Sequence, residues 1–404
     1  MKESLVLRAI PALLCAVALA TPLAAQQAPP AGQAAGPETC LPRGFAAGPS
    51  FQSVEVLPDR RITFRLCAPG ATEAKVTSND MPDVIPLALA GPAGLPMTKD
   101  SKGLWSVTTD KPVAPDTYRY DFSVNGARVP DPQATNFSHE RTGTNSTLEV
   151  PGAEGAFQAY DRSVPHGTVS TFEYWSSSLG MKRRAHVYLP PGYDTDSKRY
   201  PVLYLVHGAG DSDDSWTSVG HAHYILDNLI AAGKARPMII VMPFGHTPDR
   251  PGADMLANTD FGDDLIKDLI PQIDRGFRTQ ARADARAMAG LSMGGSHTIR
   301  NGLTHPELFH YVGIFSMGLG MNGREEEVAR YESANAAALK RSAKDLRLVY
   351  YAMGKDDFLH STVAPTRAML DRQWIAHVFN ESGGGHTWIN WRRYLNDFAP
   401  RLFR

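Results

Sequence analysis

The sequence has few cysteines and, after its first 25 residues, no long apolar run. Only three of its 404 residues are cysteine. No later stretch approaches the roughly 20 apolar residues that a membrane-spanning helix needs, so no membrane span is expected. The formal net charge is −1 and no basic block is present, which makes nucleic acid an unexpected partner. A phosphate-binding loop and a dinucleotide fingerprint are also missing, so no cofactor is expected.

Metal-ligand spacing is missing as well. His221 and His223 are two residues apart and would point to different faces of a helix, and no acidic cluster gathers near them. We therefore expect no metal site.

The N-terminus is typical of an export signal. A charged start is followed by a short apolar core, Ala9–Ala20, and by small residues near Ala25. This pattern predicts a signal peptide over residues 1–25 and a secreted or periplasmic protein. Cys15 follows Leu14 rather than a small residue, so we do not expect it to carry a lipid. Residues 26–47 are rich in Ala, Pro, Gly and Gln and are predicted to be a disordered leader.

Two cysteines, Cys40 and Cys67, remain after removal of the predicted signal peptide. An exported protein can oxidise such a pair to a disulfide. Cys67 also alternates within a strand-like run, where a buried free thiol would be ordinary. The sequence leaves both alternatives open.

Residues 48–150 consist of short alternating runs separated by turn residues, without helical periodicity. Asn125-Gly126 is a two-residue hairpin signal. This spacing predicts a small immunoglobulin-like β-sandwich, followed by a linker over 151–167. Trp105 could stack on a sugar, but its place in an alternating strand favours a core position. The predicted strands are Arg61–Cys67, Glu73–Thr77, Gly103–Thr108, Thr117–Val124 and Asn145–Val150.

Residues 168–404 alternate apolar runs with amphipathic segments. This alternation predicts a mostly parallel sheet with helices on both faces, whose ligand site lies at the carboxyl ends of the strands. The predicted strands are Arg184–Leu189, Val202–Val206, Met238–Met242, Ala287–Ala289, Val312–Phe315, Leu346–Tyr351 and Ile375–Phe379. The predicted helices are Tyr224–Lys234, Phe261–Ile273, Met293–Leu303, Glu325–Arg341, Pro365–Gln373 and Trp388–Phe398.

One serine lies at a strand end of this kind, in the sequence Gly290-Leu-Ser-Met-Gly294. A Gly-x-Ser-x-Gly motif can arise by chance in a chain of this length, so its context decides. Here a buried strand precedes the motif and a helix follows it, as in a nucleophile elbow, where the serine hydroxyl projects from a sharp turn. Ser292 is therefore a candidate nucleophile.

A serine nucleophile needs a histidine base that is oriented by a carboxylate, in the chain order Ser, acid, His. His386 lies in a glycine-rich loop after the final strand, and Asp357 follows an earlier strand end. Asp356 is the alternative acid and could equally be a solvated turn residue. The competing histidines are His297 within a helix, His377 within the predicted last strand, His305 at a helix end, and His310 and His360, which do not lie in the last loop.

The developing oxyanion needs hydrogen-bond donors. The backbone N–H of Met293, directly after the serine, is one candidate. The glycine-rich segment His207-Gly-Ala-Gly-Asp211 follows an earlier strand and supplies the second, with Ala209 preferred and Gly208 as the alternative. The segment could also be an ordinary strand-ending turn.

Taken together, these motifs resemble the esterase-D-like α/β-hydrolases, most of all the feruloyl and acetyl-xylan esterases of carbohydrate esterase family one. The family's acid lies three residues after Gly354, which implies Asp357, and relatives often carry glycine where this chain has Ala209. The first domain resembles the early-set, glycogen-binding-like sandwiches through Ile62–Phe64, Ala68-Pro69, Gly103–Ser106 and Tyr118–Phe122. The matching pieces of the second domain are Pro190–Tyr193, Tyr200–Gly208, Asp211–Trp216, Asp227–Lys234, Phe261–Asp274, Gly290–Gly295, His305–Phe309, Gly354–Asp357 and Gly385–Trp388.

The resemblance implies an exported serine esterase that removes feruloyl or acetyl groups from a plant polysaccharide such as xylan, with the acylated glycan as its partner. Two alternatives stay open. One is a siderophore esterase of the enterobactin type, and the other is a glycan-binding protein with an inactive hydrolase domain. The sequence decides neither the acyl group nor the oligomeric state.

Overall fold

Antiparallel strands build the N-terminal part of the chain, and a mostly parallel sheet builds the rest. The computed structural model describes residues 39–42, 48–87, 93–249 and 258–404. The predicted signal peptide, and the predicted leader apart from 39–42, lie outside these ranges. Within them, no helix combines the length and the apolar character that crossing a membrane would require.

The first ten strands form two antiparallel sheets, which we call the sandwich. One sheet has the order β1-β2-β6-β5 and the other β4-β3-β7-β10-β9, with β8 paired to β7. Their inner faces share one core, in which the rings of Phe64 and Tyr120 lie 5.3 Å apart. The strands are β1 Val54–Val56, β2 Ile62–Cys67, β3 Ala74–Thr77, β4 Leu95–Pro96, β5 Thr98–Lys99, β6 Leu104–Thr108, β7 Asp116–Val124, β8 Ala127–Val129, β9 Phe137–His139 and β10 Thr144–Val150.

Three local predictions for the sandwich are decided by the structure. Asn125 and Gly126 both have positive φ, 49° and 84°, and connect β7 to β8 as a two-residue hairpin. Trp105 is 6% exposed and donates its indole N–H to Ala68 O, so it is a core residue. Of the two alternatives for the cysteines, the structure has the Cys40–Cys67 disulfide.

The remaining strands form one eight-stranded sheet in the order β11-β12-β14-β13-β15-β16-β17-β18, which together with its helices we call the hydrolase domain. The pairs β11–β12 and β12–β14 are antiparallel, and all others are parallel. The strands are β11 Thr168–Ser176, β12 Met181–Leu189, β13 Val202–Val206, β14 Ile239–Pro243, β15 Arg286–Leu291, β16 Tyr311–Phe315, β17 Leu348–Gly354 and β18 Val378–Ser382.

Helices cover both faces of this sheet. Alternate residues of β13 take opposite sides: Leu203 and Leu205 pack with α2 and α8, whereas Tyr204 packs with the segment from α3 to α4. The α-helices are α1 Ser215–Ser218, α2 Ala222–Ala231, α3 Asp260–Asp263, α4 Ile270–Gly276, α5 Met293–His297, α6 Glu325–Asp345, α7 Val363–Arg372 and α8 Trp388–Phe398. A π-helical turn, Asp264–Leu269, joins α3 to α4, and another, Thr298–Gly302, extends α5.

The predicted fold class, an α/β hydrolase preceded by a small β-sandwich, is confirmed. Several elements differ from the prediction. The short strands β1, β4, β5 and β9 and the short helix α1 were not among the predicted elements. Strand β11 was not predicted, because its residues are mostly exposed and carry no apolar alternation. The last strand begins at Val378 rather than Ile375, so His377 precedes the strand instead of lying within it.

Buried charges connect the sandwich to the hydrolase domain. Arg392 on α8 is fully buried, pairs with Asp116 of β7 at 2.5 Å and donates to Thr117 O at 2.9 Å. The predicted linker contains a 3-10 helix, Ala153–Gln158, whose Gln158 also donates to Asp116. Breaking a buried pair of this kind leaves an uncompensated charge and costs about 3–5 kcal/mol. Residues 39–404 accordingly form one compact unit.

Candidate active site

A strained turn presents Ser292 at the carboxyl end of β15. Ser292 has φ 52° and ψ −115°, and α5 begins at the next residue. A non-glycine residue in such a conformation costs about 1–3 kcal/mol and persists only where its surroundings enforce it. Here the Ser292 N–H donates to Phe315 O on neighbouring β16 at 3.0 Å. The geometry is that expected of a nucleophile elbow.

The two glycines of the motif are required by close packing. A Cβ on Gly290 would lie 2.4 Å from the carbonyl carbon of Gly294, and a Cβ on Gly294 would lie 2.3 Å from Val206 O. Both contacts are with backbone atoms, which cannot move aside without shifting β13 or the start of α5. The start of α5 can therefore pass close to β13 and β15 only with glycine at both positions.

The structure brings His386 and Asp357 together. His386 Nδ1 lies 3.0 Å and 2.9 Å from the two carboxylate oxygens of Asp357, whose side chain is fully buried. A carboxylate accepts hydrogen bonds, so Nδ1 carries the proton and Nε2 is free to act as a base. Leu359 N–H also donates to Asp357 and fixes its carboxylate. The alternative acid, Asp356, is exposed.

Aromatic rings hold the imidazole of His386 in place. Trp391 of α8 lies edge-on at 5.0 Å, and the ring of Phe358 lies at 4.5 Å. Trp391 donates its indole N–H to Ser316 Oγ, directly after β16, at 2.9 Å. In the described part of the chain, no hydrogen bond joins Ser292 Oγ to His386. Such bonds often tighten only when substrate is bound.

The segment 207–211, which we call the 207–211 loop, lies next to the serine. A Cβ on Gly208 would lie 3.6 Å from Ser292 Cβ. Gly208 N–H is already engaged by Asp211 Oδ2 at 3.2 Å. No described residue accepts the N–H of Ala209 or of Met293, so these two of the predicted donors are free for an oxyanion.

The orientation of the Ala209 N–H follows from the peptide plane before it. His207 Nε2 accepts from Gly245 N–H at 2.9 Å, so His207 carries its proton on Nδ1 and donates it to Gly208 O at 2.8 Å. In a trans peptide the N–H points opposite to the C=O. Fixing Gly208 O therefore also fixes the direction of the Ala209 N–H.

Burial keeps the histidines around this loop neutral. It lowers the pKa of His207 and, together with the neighbouring His207, lowers the pKa of His246 to about 4. His246 Nε2 lies 3.1 Å from Asp211 O. Burial and the nearby Arg300 lower the pKa of His297 to about 3. His207 and His246 therefore support the loop as neutral hydrogen-bonding groups.

The competing histidines have other partners. His297 stacks on Phe261 at 4.0 Å and contacts Gly245 O through Nε2. His360 pairs with Glu381 at 2.9 Å, and His305 pairs with Glu307 at 2.8 Å. His310 and His377 have no contact with Ser292 or Asp357 among the residues that the structure describes.

A cavity of about 570 Å³ lies beside the π-helical turn after α5. Its lining includes Asn258, Arg300, Met317 and Tyr331, but not Ser292, Asp357 or His386. The candidate site is therefore defined by the elbow, the Asp357–His386 pair and the 207–211 loop, and not by this cavity.

The sandwich contacts the 207–211 loop, and sequence reasoning missed these contacts. Arg119 of β7 pairs with Asp211 at 2.8 Å, and Arg141 N–H donates to Gly210 O at 3.2 Å. The sequence signal for this contact was the charge of Arg119 itself, since a charged residue within a predicted strand needs a partner. Its partner lies 92 positions away, and no local pattern identifies it.

An eight-stranded, mostly parallel sheet with a serine at a strained turn after one strand is the architecture of the α/β hydrolases. Residues 176–402 match the family model described as "Putative esterase", and the chain belongs to this family.

Its relatives include an endo-1,4-beta-xylanase/feruloyl esterase of Xylanibacter ruminicola, which is 35% identical over 327 residues, or 80% of this chain. The chain spans 43% of the length of that relative. Among solved structures, a ferulic acid esterase is 27% identical with a TM-score of 0.52, over 59% of this chain and 99% of its own. The enterochelin esterase of Shigella flexneri shares the fold at 17% identity, with a TM-score of 0.62, over 87% of this chain and 95% of its own.

Proposed function

We propose that this chain is a serine esterase that removes hydroxycinnamoyl or acetyl groups from acylated plant polysaccharides through an acyl-enzyme. The observation that carries the proposal is the buried Asp357–His386 pair, which leaves Nε2 unprotonated at the same sheet edge as the strained Ser292. Membership of the esterase family supports ester hydrolysis as the reaction.

In the proposed mechanism, His386 Nε2 takes the proton of Ser292 Oγ as that oxygen attacks the ester carbonyl carbon. The carbonyl oxygen becomes an oxyanion and accepts from the N–H groups of Met293 and Ala209. The C–O bond to the alcohol breaks, and His386 gives its proton to the leaving oxygen. Water then attacks the acyl-enzyme with His386 as base, which releases the acid and restores Ser292. Asp357 stabilises the imidazolium in both steps.

The substrate class rests on the relatives. The Xylanibacter ruminicola relative is called a feruloyl esterase as well as a xylanase, and the solved structure at 27% identity is a ferulic acid esterase. We propose that this chain acts on the same kind of ester. Export through a signal peptide over residues 1–25 is part of the same proposal, because a plant polysaccharide cannot enter a cell. We also propose an early-set origin for the sandwich.

A siderophore esterase is the second candidate function. The likeness to the Shigella flexneri enterochelin esterase extends over 87% of this chain, against 59% for the ferulic acid esterase. At 17% identity this likeness concerns the fold alone. It supports testing a catecholate ester beside the plant esters.

The reaction is tested by replacing Ser292 with Ala and measuring release of p-nitrophenol from p-nitrophenyl acetate. We expect loss of activity by about 10⁶-fold, since a serine enzyme loses that much with its nucleophile. Ser170→Ala, on exposed strand β11, is the matched control and should keep wild-type turnover. Undiminished turnover in Ser292→Ala would refute the assignment.

The substrate is tested by giving the protein methyl ferulate, acetylated xylan and enterobactin side by side. The proposal expects kcat/KM on one of the two plant-type esters to exceed that on enterobactin at least tenfold. A preference for enterobactin would select the siderophore function. Binding of xylan without hydrolysis of any ester would select the inactive, glycan-binding alternative.

A further inference from the structure

The sandwich contacts the 207–211 loop from outside the hydrolase domain. Arg119 points from β7 toward the loop, and its side chain is 12% exposed. The segment after β9 runs antiparallel to the loop, with a bridge between Glu140 and Asp211. These contacts lie beside Ser292, because a Cβ on Gly208 of the same loop would lie 3.6 Å from Ser292 Cβ.

Arg119 is held between two carboxylates. Its Nε and Nη2 donate to the two oxygens of Asp80 at 2.9 Å each, and its Nη1 donates to Asp211 Oδ1 at 2.8 Å. Burial opposes the charge, but Asp80 and Asp211 outweigh it and raise the pKa of Arg119 above its ordinary value. The planar guanidinium can serve both carboxylates at once, which an ammonium group cannot do with the same geometry.

Asp211 passes this restraint to the loop. The oxygen that is not bound to Arg119 accepts Gly208 N–H at 3.2 Å, and Asp211 N–H donates to Gly208 O at 3.2 Å. On the other side of Ala209, Gly210 O accepts Arg141 N–H from the sandwich. Ala209 is thus the residue between two glycines whose peptide groups are both tied, directly or through Asp211, to the sandwich.

We propose that Arg119 of the sandwich is a positioning residue for ester hydrolysis, which acts through Asp211 to hold the Ala209 N–H where the oxyanion forms. This inference rests on the proposed function. It assigns a catalytic contribution to the sandwich that requires no contact with the polysaccharide. Glycines at 208 and 210 give the loop no stiffness of its own, so a preorganised donor depends on restraints from its surroundings. His207 supplies one from within the hydrolase domain, and Arg119 supplies another through Asp211.

The test compares Arg119→Met with Arg119→Lys and with Arg65→Met. Arg65 pairs with Glu55 inside the sandwich and contacts no described residue of the hydrolase domain, which makes it a matched control. Steady-state kinetics are measured on p-nitrophenyl acetate and on methyl ferulate. Every ester develops the same oxyanion, so we expect Arg119→Met to lower kcat about 10- to 100-fold by the same factor on both, with KM within twofold.

Arg119→Lys should recover part of the loss in kcat, because its ammonium group restores the charge but cannot bind Asp80 and Asp211 at once with the geometry of the guanidinium. Arg65→Met should keep kcat within twofold of wild type. Unchanged kcat in folded Arg119→Met overturns the inference. So does a loss confined to KM on methyl ferulate, which would make Arg119 part of the substrate wall, or an equal loss in Arg65→Met, which would indicate general destabilisation.

Two further measurements keep the test decisive. If Arg119→Met does not fold, Asp211→Asn replaces it: its amide oxygen can still accept Gly208 N–H, but the charge pair is lost, and the same fall in kcat is expected. Hydrogen exchange of the 207–211 amides should be faster in either variant, and wild-type exchange overturns the inference. If the wild type hydrolyses no ester, the proposed function has failed, whereas the exchange result still decides whether Arg119 restrains the loop.

Discussion

The two sides of the proposed catalytic centre are held in different ways. The Asp357–His386 side is built within the hydrolase domain, from two strand ends and the ring of Trp391. The 207–211 loop on the other side is contacted by the neutral His207 and His246 of the hydrolase domain and by Arg119 of the sandwich. The first side is held by contacts within one domain, whereas the second is also held by contacts from the sandwich.

This difference shows what a preceding domain can contribute to an enzyme. The proposed base and its carboxylate come from loops that packing already fixes. The proposed oxyanion donor comes from a loop with two glycines, which has little stiffness without the partners that contact it. The first two variants below each weaken one side and leave the other intact. The next tests the packing of the elbow, and the last tests a histidine that contacts the 207–211 loop.

The largest effect is expected from Asp357→Asn. The amide would donate to Nδ1 or leave it unpaired, so the imidazole would adopt the wrong tautomer, and we expect kcat to fall about 10³- to 10⁴-fold. The matched control is Asp356→Asn, because Asp356 is adjacent but exposed and should keep wild-type turnover. If both variants lose activity equally, Asp357 is not the orienting acid.

On the other side, Ala209→Pro removes one backbone N–H without touching the Asp357–His386 pair. We expect kcat to fall about 10²- to 10³-fold, as when a single oxyanion donor is lost elsewhere. Ala209→Ser keeps the N–H and should stay within a few-fold of wild type. Turnover in Ala209→Pro that matches Ala209→Ser would move the donor to another residue.

The packing between the two sides is tested by Gly294→Ala. The added Cβ would lie 2.3 Å from Val206 O, so we expect the free energy of unfolding to fall by about 1–3 kcal/mol in a urea titration. Gly276→Ala, at the end of α4, meets no atom within 4 Å and should change stability by less than about 0.5 kcal/mol. Equal values for the two variants would remove the packing argument for the elbow.

An effect no larger than that of Gly294→Ala is expected from acid on His246, which contacts the 207–211 loop. The folded pKa of His246, about 4, lies below the ordinary value, so the unfolded chain binds its proton first as pH falls. The contribution of neutral His246 to the free energy of unfolding, about 1–3 kcal/mol, is fully present above about pH 6.5 and is lost as the pH falls toward 4. His246→Gln should show a smaller loss between pH 7 and 5 in thermal unfolding. An identical pH profile would contradict the assignment.

The parts of the fold that sequence predicted best are those where burial and periodicity coincide. Val202–Val206 and Trp388–Phe398 have the predicted bounds, because every residue of the first is buried and the second has a marked apolar face. The last strand was placed too early, since Ile375 is buried in the segment before the strand. Hydrophobicity reports burial there and not strand pairing.

The candidate site divides in the same way. The elbow could be predicted because its glycines and serine are adjacent in sequence, and Asp357 and His386 because each follows a strand. The Arg119–Asp211 pair could not, since two polar residues that meet across domains leave no periodic pattern. The disulfide was left open for a similar reason: sequence separation alone does not bring Cys40 to Cys67.

The most direct test of the central claim is to label the protein with a fluorophosphonate and locate the adduct by mass spectrometry. An activated serine reacts covalently, whereas an ordinary hydroxyl does not. The account predicts one adduct per chain, on the peptide that contains Ser292, and none in His386→Ala. An ester-hydrolysing protein with no adduct, or with its adduct on another residue, would contradict it.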